Sequence, residues 1–343
     1  ISILVVIIET DCDIYGVGES LARHSPKAYA ELIDNLLTPK IVGMSPFAIE
    51  AIWRNLFRSF TGKSGGILIE AISAIDIALW DIIGKDINKP IYEILGHMNR
   101  KSIRTYASSI PWTDDKKAKN ITDFCLEKGF KEIKVKIGAP VKKAKNRIKQ
   151  IRNIVGPDIK LMADANWIFD IDEAFIIGEY LKENNYYWFE EPIIPEDFTG
   201  YKFLRNKLSI MLAAGESEHT AKGASSLINE RLIGVIQPDV ARSGGITETK
   251  KIALMADIMN VHYAPHVGAS GGICVAASLH LAAAMPNFLS FECMIFNNPL
   301  RDNIVKNGIN FNNLKSNGEL PLPKGPGLGI ELNMKEVEKW KTN

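Results

Sequence analysis

Short apolar runs and amphipathic segments of helical period alternate strictly over the last two-thirds of the chain, and this pattern constrains the fold most. Eight apolar runs occur, at 103–109, 132–138, 159–166, 186–191, 209–216, 232–239, 261–266 and 288–292. Seven helical segments separate them. Such alternation is typical of a parallel sheet with crossover helices. Eight strands at this spacing favour a closed α/β barrel over an open sheet.

The residues outside the alternating region form separate units. Residues 1–100 combine β-branched and helical segments, including the long apolar helix Ile67–Gly84, and predict a small α+β domain. The barrel is expected over 101–299. Residues 300–343 contain a Pro/Gly-rich stretch at 318–333 and are predicted to return and pack against the N-terminal domain.

Charge and composition exclude several classes of protein. Lys and Arg number 41 and Asp and Glu number 40, so the net charge is +1 and does not indicate a nucleic-acid or anionic-membrane binder. No apolar run approaches the ~20 residues of a membrane span, and the opening ISILVVII is not typical of a signal peptide. The 4 cysteines form no CxxC pair, which argues against a disulfide framework or a zinc site and predicts a cytoplasmic protein.

Ionisable groups close seven successive runs. They are Lys134 and Lys136, Asp164, Glu190 and Glu191, Glu216, Asp239, His266 and Glu292. From Asp164 onward the steps are 26, 26, 23, 27 and 26 positions, so each group has the same place in its βα unit. One polar residue at a strand end is usually a helix cap, but a complete series predicts a ring at the carboxyl ends of the strands, where barrel enzymes bind substrate.

Among the carboxylates of this series, Asp164, Glu190 and Glu216 close three successive strands. Crowded acids repel one another unless a cation joins them. An all-oxygen site suits Mg²⁺, with Mn²⁺ as a substitute, and does not suit zinc. Glu190 and Glu191 point to opposite faces of their strand, and the spacing does not select between them.

Two pairs suggest acid–base chemistry. Lys134 and Lys136 are two positions apart, so both face the same side at roughly 7 Å. Two ammonium groups that close lower each other's pKa, and a lysine with a lowered pKa can act as a base. Asp239 and His266 close adjacent strands, where the carboxylate could orient the imidazole.

Several motifs carry a resemblance to a known family. They are AISAIDIALWDIIGK at 71–85, KVK at 134–136, DAN at 164–166, FEEP at 189–192, GES at 215–217, QPDVARSGG at 237–245, PHVGASGG at 265–272 and FE at 291–292. The set resembles the enolase superfamily in its mandelate racemase-like subgroup, the mandelate racemase/muconate lactonizing enzyme family. The resemblance implies an α+β capping domain on a modified TIM barrel of the (β/α)7β type. It also implies a homo-oligomer, a dimer or an octamer.

The resemblance assigns roles to the acidic groups. Asp164, Glu190 and Glu216 become the Mg²⁺ ligands, which selects Glu190 over Glu191. Glu292 becomes a protonated hydrogen-bond donor to the enediolate oxygen of the intermediate.

It also assigns the basic and neutral groups. Lys136 is one acid/base, and Lys134 contacts the carboxylate of a small-molecule substrate. His266, oriented by Asp239, is the second acid/base on the opposite face. Ser108 and Asn166 correspond to substrate-contacting positions. Members of this family usually begin with a strand before the one that opens this chain, and TDCDIYGVGES leaves little room for their mobile specificity loop.

The expected chemistry is removal of the proton α to a carboxylate. Dehydration of a sugar acid, an aldonate or aldarate, to a 2-keto-3-deoxy acid is the preferred reaction, and racemisation or epimerisation of a 2-hydroxy acid is the alternative. A Schiff-base aldolase using Lys136, with VGASGG binding phosphate, is a different class of enzyme. A barrel that binds metal or a partner without turnover is the non-enzymatic alternative.

Overall fold

The computed structural model describes residues 2–60, 65–308, 311, 314 and 317–342, with only the backbone of residue 109. The N-terminal part contains β1 (Leu4–Glu9), β2 (Tyr15–Ser20), α1 (Pro26–Leu32), α2 (Ile49–Phe57), α3 (Ile67–Asp86) and α4 (Ile91–Gly96). A π-helical turn, Ile33–Leu37, continues α1, and two 3₁₀ turns follow at Thr38–Lys40 and Pro46–Ala48. The strands β1 and β2 form an antiparallel ribbon that packs on α3.

The alternating region follows in the predicted order. Its elements are β3 (Ile103–Ile110), α5 (Asp115–Glu127), β4 (Glu132–Lys136), α6 (Val141–Val155), β5 (Lys160–Asp164), α7 (Ile171–Glu183), β6 (Tyr186–Glu190), α8 (Phe198–Lys207), β7 (Met211–Ala214), α9 (Thr220–Asn229), β8 (Val235–Ile236), α10 (Gly245–Ile258), β9 (His262–Tyr263), α11 (Gly272–Ala284) and β10 (Phe291–Met294). All eight predicted strands and seven predicted helices are therefore confirmed.

The eight strands form one parallel sheet in the order β10-β3-β4-β5-β6-β7-β8-β9. A parallel bridge between Tyr263 and Phe288 joins the two ends and closes the sheet. The closed barrel predicted from the alternation, and the (β/α)7β type that the resemblance implies, are thus confirmed. Its carboxyl ends all open to one side, because parallel strands share a direction.

Aspartates fix where several barrel helices begin. Asp114, Asp170 and Asp197 precede α5, α7 and α8, and each side chain accepts a hydrogen bond from a backbone N–H of the first turn at 2.8–2.9 Å. A carboxylate there satisfies a donor that the helix leaves unpaired. These caps end the loops that leave the strand ends, so they help to fix the rim of the barrel.

Side chains fill the barrel interior beneath the strand ends. The interior cluster comprises Tyr106, Met162, Trp188, Ala213, Val235 and Ala264. Tyr106 and Trp188 meet edge to face, with ring centroids 5.4 Å apart. The polar groups at the carboxyl ends therefore lie on a packed floor rather than over a pore.

The C-terminal segment contacts both parts of the chain. Its elements are α12 (Pro299–Asp302), β11 (Val305–Lys306), β12 (Glu319–Leu320), β13 (Glu331–Leu332) and α13 (Met334–Trp340). The short β12 pairs antiparallel with β3, and the N–H of Leu328 donates to Asp81 of α3 at 2.9 Å. We propose on these contacts the division 1–100, 101–299 and 300–343.

The helix α3 is apolar around most of its circumference because other elements cover it on several sides. The β1–β2 ribbon, α2 and α10 all pack against it. Within the described residues, no helix has the length and apolar character needed to cross a membrane.

The contact between β2 and α3 leaves no room for a side chain at Gly18. A Cβ atom there would lie 1.7 Å from the carbonyl oxygen of Ala74. We expect Gly18→Ala to lower the free energy of unfolding, measured by urea denaturation, by about 1–3 kcal/mol or more. Gly65→Ala is the matched control, because a Cβ there meets nothing within 4 Å. Equal stability of the two variants would contradict the close packing described here.

Candidate active site

The strand register brings the predicted ring together. Lys136 of β4 is the register partner of Asp164 at the end of β5, and Asp164 is the partner of Glu190 at the end of β6. Further around the barrel, Asp239 and His266 form a parallel bridge. Because side chains on paired residues of neighbouring strands point the same way, these groups meet at the carboxyl edge of the sheet.

Lys134 lies at the centre of the acidic groups and is only 1% exposed. Its Nζ contacts Oε1 of Glu190, lies 2.9 Å from Oε1 of Glu292 and 3.5 Å from Oδ2 of Asp164. It also lies 5.5 Å from the centre of the Tyr106 ring. The buried ammonium is therefore surrounded by negative charge on several sides.

This environment reverses the predicted pKa shift of Lys134. Burial lowers the pKa of the ammonium, but Glu190 and Glu292 outweigh that effect and hold the pKa well above its usual value. The prediction of a lowered pKa is wrong for Lys134, because carboxylates rather than Lys136 are its nearest charged neighbours. These neighbours therefore favour the protonated, positively charged form of Lys134 over a basic amine.

Lys136 occupies the outer position on the same face of β4. Its Nζ contacts Oδ2 of Asp164. Unlike Lys134, Lys136 is only partly buried, and 28% of its side chain is exposed. It also donates to Oδ1 of Asn166 at 2.7 Å, and Asn166 itself is exposed. Burial raises the pKa of Asp164, but the two lysines outweigh burial and lower it. Lys136 is thus held at the mouth of the barrel, where a ligand can reach it.

The predicted His–Asp pair is formed. Nδ1 of His266 lies 2.8 Å from Oδ2 of Asp239, and Nε2 lies 3.3 Å from Oε2 of Glu216. Burial lowers the pKa of His266, but Glu216 and the hydrogen bond to Asp239 raise it to about 9. Asp239 is itself held by the N–H of Ala241 at 2.9 Å, so the imidazole has a fixed partner behind it.

Glu292 is surrounded by donors. Ser108 Oγ donates to its Oε1 at 2.6 Å and the N–H of Val267 donates to its Oε2 at 2.8 Å, while Lys134 contacts the same carboxylate. Burial raises the pKa of Glu292, but Lys134 and His266 outweigh burial and lower it well below its usual value. These neighbours favour the ionised form of Glu292, and the protonated form expected in the reaction stays a prediction. Ser108, predicted to contact substrate, is fully buried and bonds Glu292 instead.

The two adjacent glutamates of FEEP point in opposite directions, as strand geometry requires. Glu190 faces the barrel interior, where burial raises its pKa to about 7 against the lowering effect of Lys134. Glu191 faces away and accepts from the N–H of Gly215 at 2.9 Å and from Tyr201 at 3.0 Å. Its hydrogen bonds hold the loops after β6 and β7, so it belongs to the scaffold.

The donor set suits a hard divalent cation, although the three carboxylates do not converge on one point. In the part of the chain that the structure describes, no three His, Cys, Asp or Glu side chains lie close enough together to hold a metal ion. Instead, Asp164 contacts Lys136, Glu190 contacts Lys134, and Glu216 faces His266. All three carboxylates are buried oxygen donors at the ends of successive strands, which is the chemistry that Mg²⁺ prefers.

Some groups that shape the site carry no ring-like spacing and were not predicted. Gln237 donates from Nε2 to Oε2 of Glu190 at 2.9 Å, and Trp188 donates to the same atom at 3.1 Å. Arg242 donates to the backbone oxygen of Glu216 at 2.9 Å and to Glu70 of α3 at 2.9 Å. Because Gln237 lies two positions before Asp239, their side chains are expected on the same face of the strand. This spacing could have identified Gln237 from the sequence. The contacts of Arg242 join segments far apart in sequence.

The Gly-rich loop of the aldolase alternative is already occupied. The N–H groups of Gly271 and Cys274, at the start of α11, donate to the buried carboxylate of Glu19 from β2 at 2.6 and 3.0 Å. A phosphate would have to displace this carboxylate. The structure thus gives the predicted phosphate site no support.

Family profiles match both parts of the chain. A profile described as the mandelate racemase/muconate lactonizing enzyme N-terminal domain matches residues 1–96, and one described as enolase C-terminal domain-like matches residues 117–337. Members of the enolase superfamily generally use a divalent metal.

The chain is also similar in sequence and structure to a dehydratase and to two cycloisomerases. The arabinonate dehydratase of Saccharolobus solfataricus is 36% identical over 97% of this chain and 89% of its own length. The D-galactarolactone cycloisomerase of Agrobacterium fabrum is 32% identical over 98% of this chain and 91% of its own. Among solved structures, the 3,6-anhydro-D-galactonate cycloisomerase from Zobellia galactanivorans superposes with a TM-score of 0.90 at 33% identity, covering 99% of this chain and 94% of that one.

Proposed function

The chain belongs to the mandelate racemase/muconate lactonizing enzyme family of the enolase superfamily, and on that premise we propose that it dehydrates a sugar acid to a 2-keto-3-deoxy acid. The substrate class is an aldonate or aldarate. The reaction removes the proton α to the carboxylate, expels the β-hydroxyl as water, and leaves an enol that becomes the 2-keto product.

The observation that carries the proposal is the placement of two basic groups on different walls of one barrel mouth. Lys136 ends β4, and His266 follows β9. In the closed barrel, β3 and β10 lie between these two strands. Lys136 is paired with Asp164, and His266 is paired with Asp239. A substrate held between the walls can lose its α-proton to one group and receive a proton on its leaving oxygen from the other.

Charge development on the substrate decides the role of Lys134. Loss of the α-proton places a second negative charge on the carboxylate, which is prohibitive in water. Lys134 is a buried cation whose neighbours keep it protonated, so it can stabilise that charge without reorganisation. Glu292, held by Ser108 and Val267, lies beside it and fixes its position. Asn166 bonds Lys136 and is exposed to an incoming ligand.

Asp164, Glu190 and Glu216 are the residues that would hold a divalent cation. When bound, Mg²⁺, or Mn²⁺ in its place, supplies a Lewis acid that stabilises negative charge on the substrate. The family's general use of a divalent metal and the buried all-oxygen donor set support this assignment.

Ring-opening isomerisation is a second candidate, because two of the relatives named above are called cycloisomerases. The α-proton step is the same in both reactions. If the β-oxygen is a free hydroxyl, water leaves; if that oxygen belongs to a ring, the ring opens and the composition does not change. The identity of the β-oxygen in the substrate therefore separates the two functions.

A screen of acid sugars and their cyclic forms with Mg²⁺, scored for 2-keto product, tests the proposal. We expect at least one linear sugar acid to give a 2-keto-3-deoxy product with loss of water. α-Proton exchange in D₂O is followed in parallel. Exchange without elimination would support a racemase or epimerase instead, and absence of both reactions across a broad library would contradict the proposal.

Cellular location and assembly are further proposals. All 4 cysteines are free thiols, which supports a reducing cytoplasm. The homo-oligomer, a dimer or an octamer, stays a prediction that light scattering on the purified protein can test.

A further inference from the structure

A buried carboxylate of the capping domain reaches the barrel next to the candidate site. Glu19, near the end of β2, is fully buried. Its Oε1 accepts from the N–H of Gly271 at 2.6 Å and its Oε2 from the N–H of Cys274 at 3.0 Å. Gly271 is the N-cap residue of α11 and Cys274 lies in its first turn, where backbone N–H groups lack partners within the helix. One side chain from the capping domain therefore caps a barrel helix.

The loop that leads into α11 starts at the candidate acid/base. His266 is followed by Val267, whose N–H donates to Oε2 of Glu292 at 2.8 Å. The loop ends at Gly271, whose N–H bonds Glu19. The segment Val267–Gly271 is thus tied at one end to the floor of the site and at the other end to the capping domain.

A second path leads from the same carboxylate to the imidazole. The N–H of Cys274 bonds Glu19, and Sγ of Cys274 lies 3.8 Å from Oδ1 of Asp239. The other oxygen of Asp239 contacts Nδ1 of His266 at 2.8 Å. The contacts are continuous from the capping domain to His266, and they include no group that faces Lys136.

The packing leaves little freedom at this junction. A Cβ atom on Gly271 would lie 2.6 Å from Oε2 of Glu19 and 2.6 Å from Cδ1 of Ile3. Only glycine allows the carboxylate to approach the helix start so closely. Burial raises the pKa of Glu19 to about 7, and the two N–H donors oppose that effect, so this carboxylate depends on those bonds.

We propose that Glu19 is a positioning residue, which fixes the loop Val267–Gly271 and thereby the orientation of His266 and Asp239. The inference rests on the proposed function in that it gives His266 a part in the reaction. Because Lys136 lies on β4 and has no contact with this loop among its described bonds, Glu19 acts on one wall of the site and not on the other.

Amide hydrogen exchange tests the structural step without any substrate. In Glu19→Gln one carboxylate oxygen becomes an NH₂ group, so one of the two N–H bonds is lost. We expect amide exchange at Gly271 and Cys274 in the whole protein to become about ten- to a hundredfold faster. Gly271→Ala, which disturbs the same contact from the other side, is expected to expose Cys274 similarly. Unchanged exchange in both variants would overturn the proposal.

Asp81→Asn is the matched control. Asp81 is also a fully buried carboxylate of the capping domain, and it also accepts two backbone N–H bonds, from Val17 at 3.1 Å and Leu328 at 2.9 Å. Neither donor belongs to the loop Val267–Gly271 or to α11. We expect exchange at Gly271 and Cys274 to be unchanged in this variant, while Val17 and Leu328 exchange faster. Faster exchange at all four positions would show general loosening and would overturn the specific role.

α-Proton exchange in D₂O tests the catalytic consequence. The two α-epimers of a sugar acid present their proton to opposite walls, so one reports on Lys136 and the other on His266. We expect Glu19→Gln to slow exchange at the His266 wall by about ten- to a hundredfold, and exchange at the Lys136 wall to stay within about twofold. An equal loss at both walls would overturn the positioning role. If the parent protein neither exchanges the α-proton of either epimer nor forms a 2-keto product, the proposed function fails, and the amide exchange still decides whether Glu19 fixes the loop.

Discussion

Lys136→Met is expected to lower kcat for the sugar-acid reaction by about 10²–10⁴-fold, with a smaller change in KM. The substitution keeps an unbranched side chain that is one atom shorter and removes the only atom that can carry a proton. Asp164 and Lys134 stay in place, so the charge of the floor is retained. The measurement is steady-state turnover on the substrate found by the acid-sugar screen, together with α-proton exchange in D₂O at the Lys136 wall.

Lys160→Met is the matched control for this prediction. Lys160 is also a half-buried lysine on a barrel strand, with 31% of its side chain exposed against 28% for Lys136, and it is also paired with a carboxylate, that of Glu132 at 3.3 Å. It stands at the start of β5, at the end of the barrel away from the site. Its variant should keep parental turnover. If the Lys136 variant and a His266→Ala variant both match the parent in every assay, the barrel is a binding scaffold and not this enzyme.

Removal of divalent metal is expected to lower turnover by on the order of 10³-fold or more, because a Lewis acid contributes several kcal/mol to stabilising the charge that develops. The protein is dialysed against a chelator, its metal content is measured, and activity is followed as Mg²⁺ or Mn²⁺ is returned. We expect recovery with either ion. Full activity of a verified metal-free protein would exclude the metal-dependent reaction. It would favour an aldolase with an imine-forming lysine, which borohydride trapping with substrate detects.

A ligand variant separates loss of metal from loss of structure. Glu216→Gln removes one negative charge from the donor set and leaves a side chain of the same shape. We expect Mg²⁺ to raise the thermal unfolding temperature of the parent, because a ligand that binds only the folded state stabilises it. The same Mg²⁺ concentration should give a smaller shift in the variant. Equal shifts would place the ion elsewhere.

The contacts within the ring show which groups a bound cation would compete with. Lys134 and Lys136 contact Glu190 and Asp164, and His266 faces Glu216. Five carboxylates of the ring meet only two lysines and one imidazole, so the buried site carries more negative than positive charge. Binding of a divalent ion would offset this excess and free basic side chains for the substrate.

The amino-acid pattern alone predicts the barrel and the residues that belong to the ring. Alternation of apolar runs and helical segments specifies a parallel sheet, because each crossover helix must bury one face against it. The nearly equal spacing from Asp164 to Glu292 then predicts that these groups share one edge, since residues at the same place in successive βα units end at the same level. The pairing of Asp239 with His266 followed from the same argument.

The charge states and the supporting contacts depend on packing. The spacing of Lys134 and Lys136 predicts lowered pKa values, yet neighbours from three other strands raise the pKa of Lys134, and Lys134 and His266 lower the pKa of Glu292. The contacts of Glu19 with the start of α11 join residues more than 250 positions apart. Spacing along the chain reports which groups share an edge. It does not report the summed field of groups that come from distant segments, because that field depends on distances which only packing fixes.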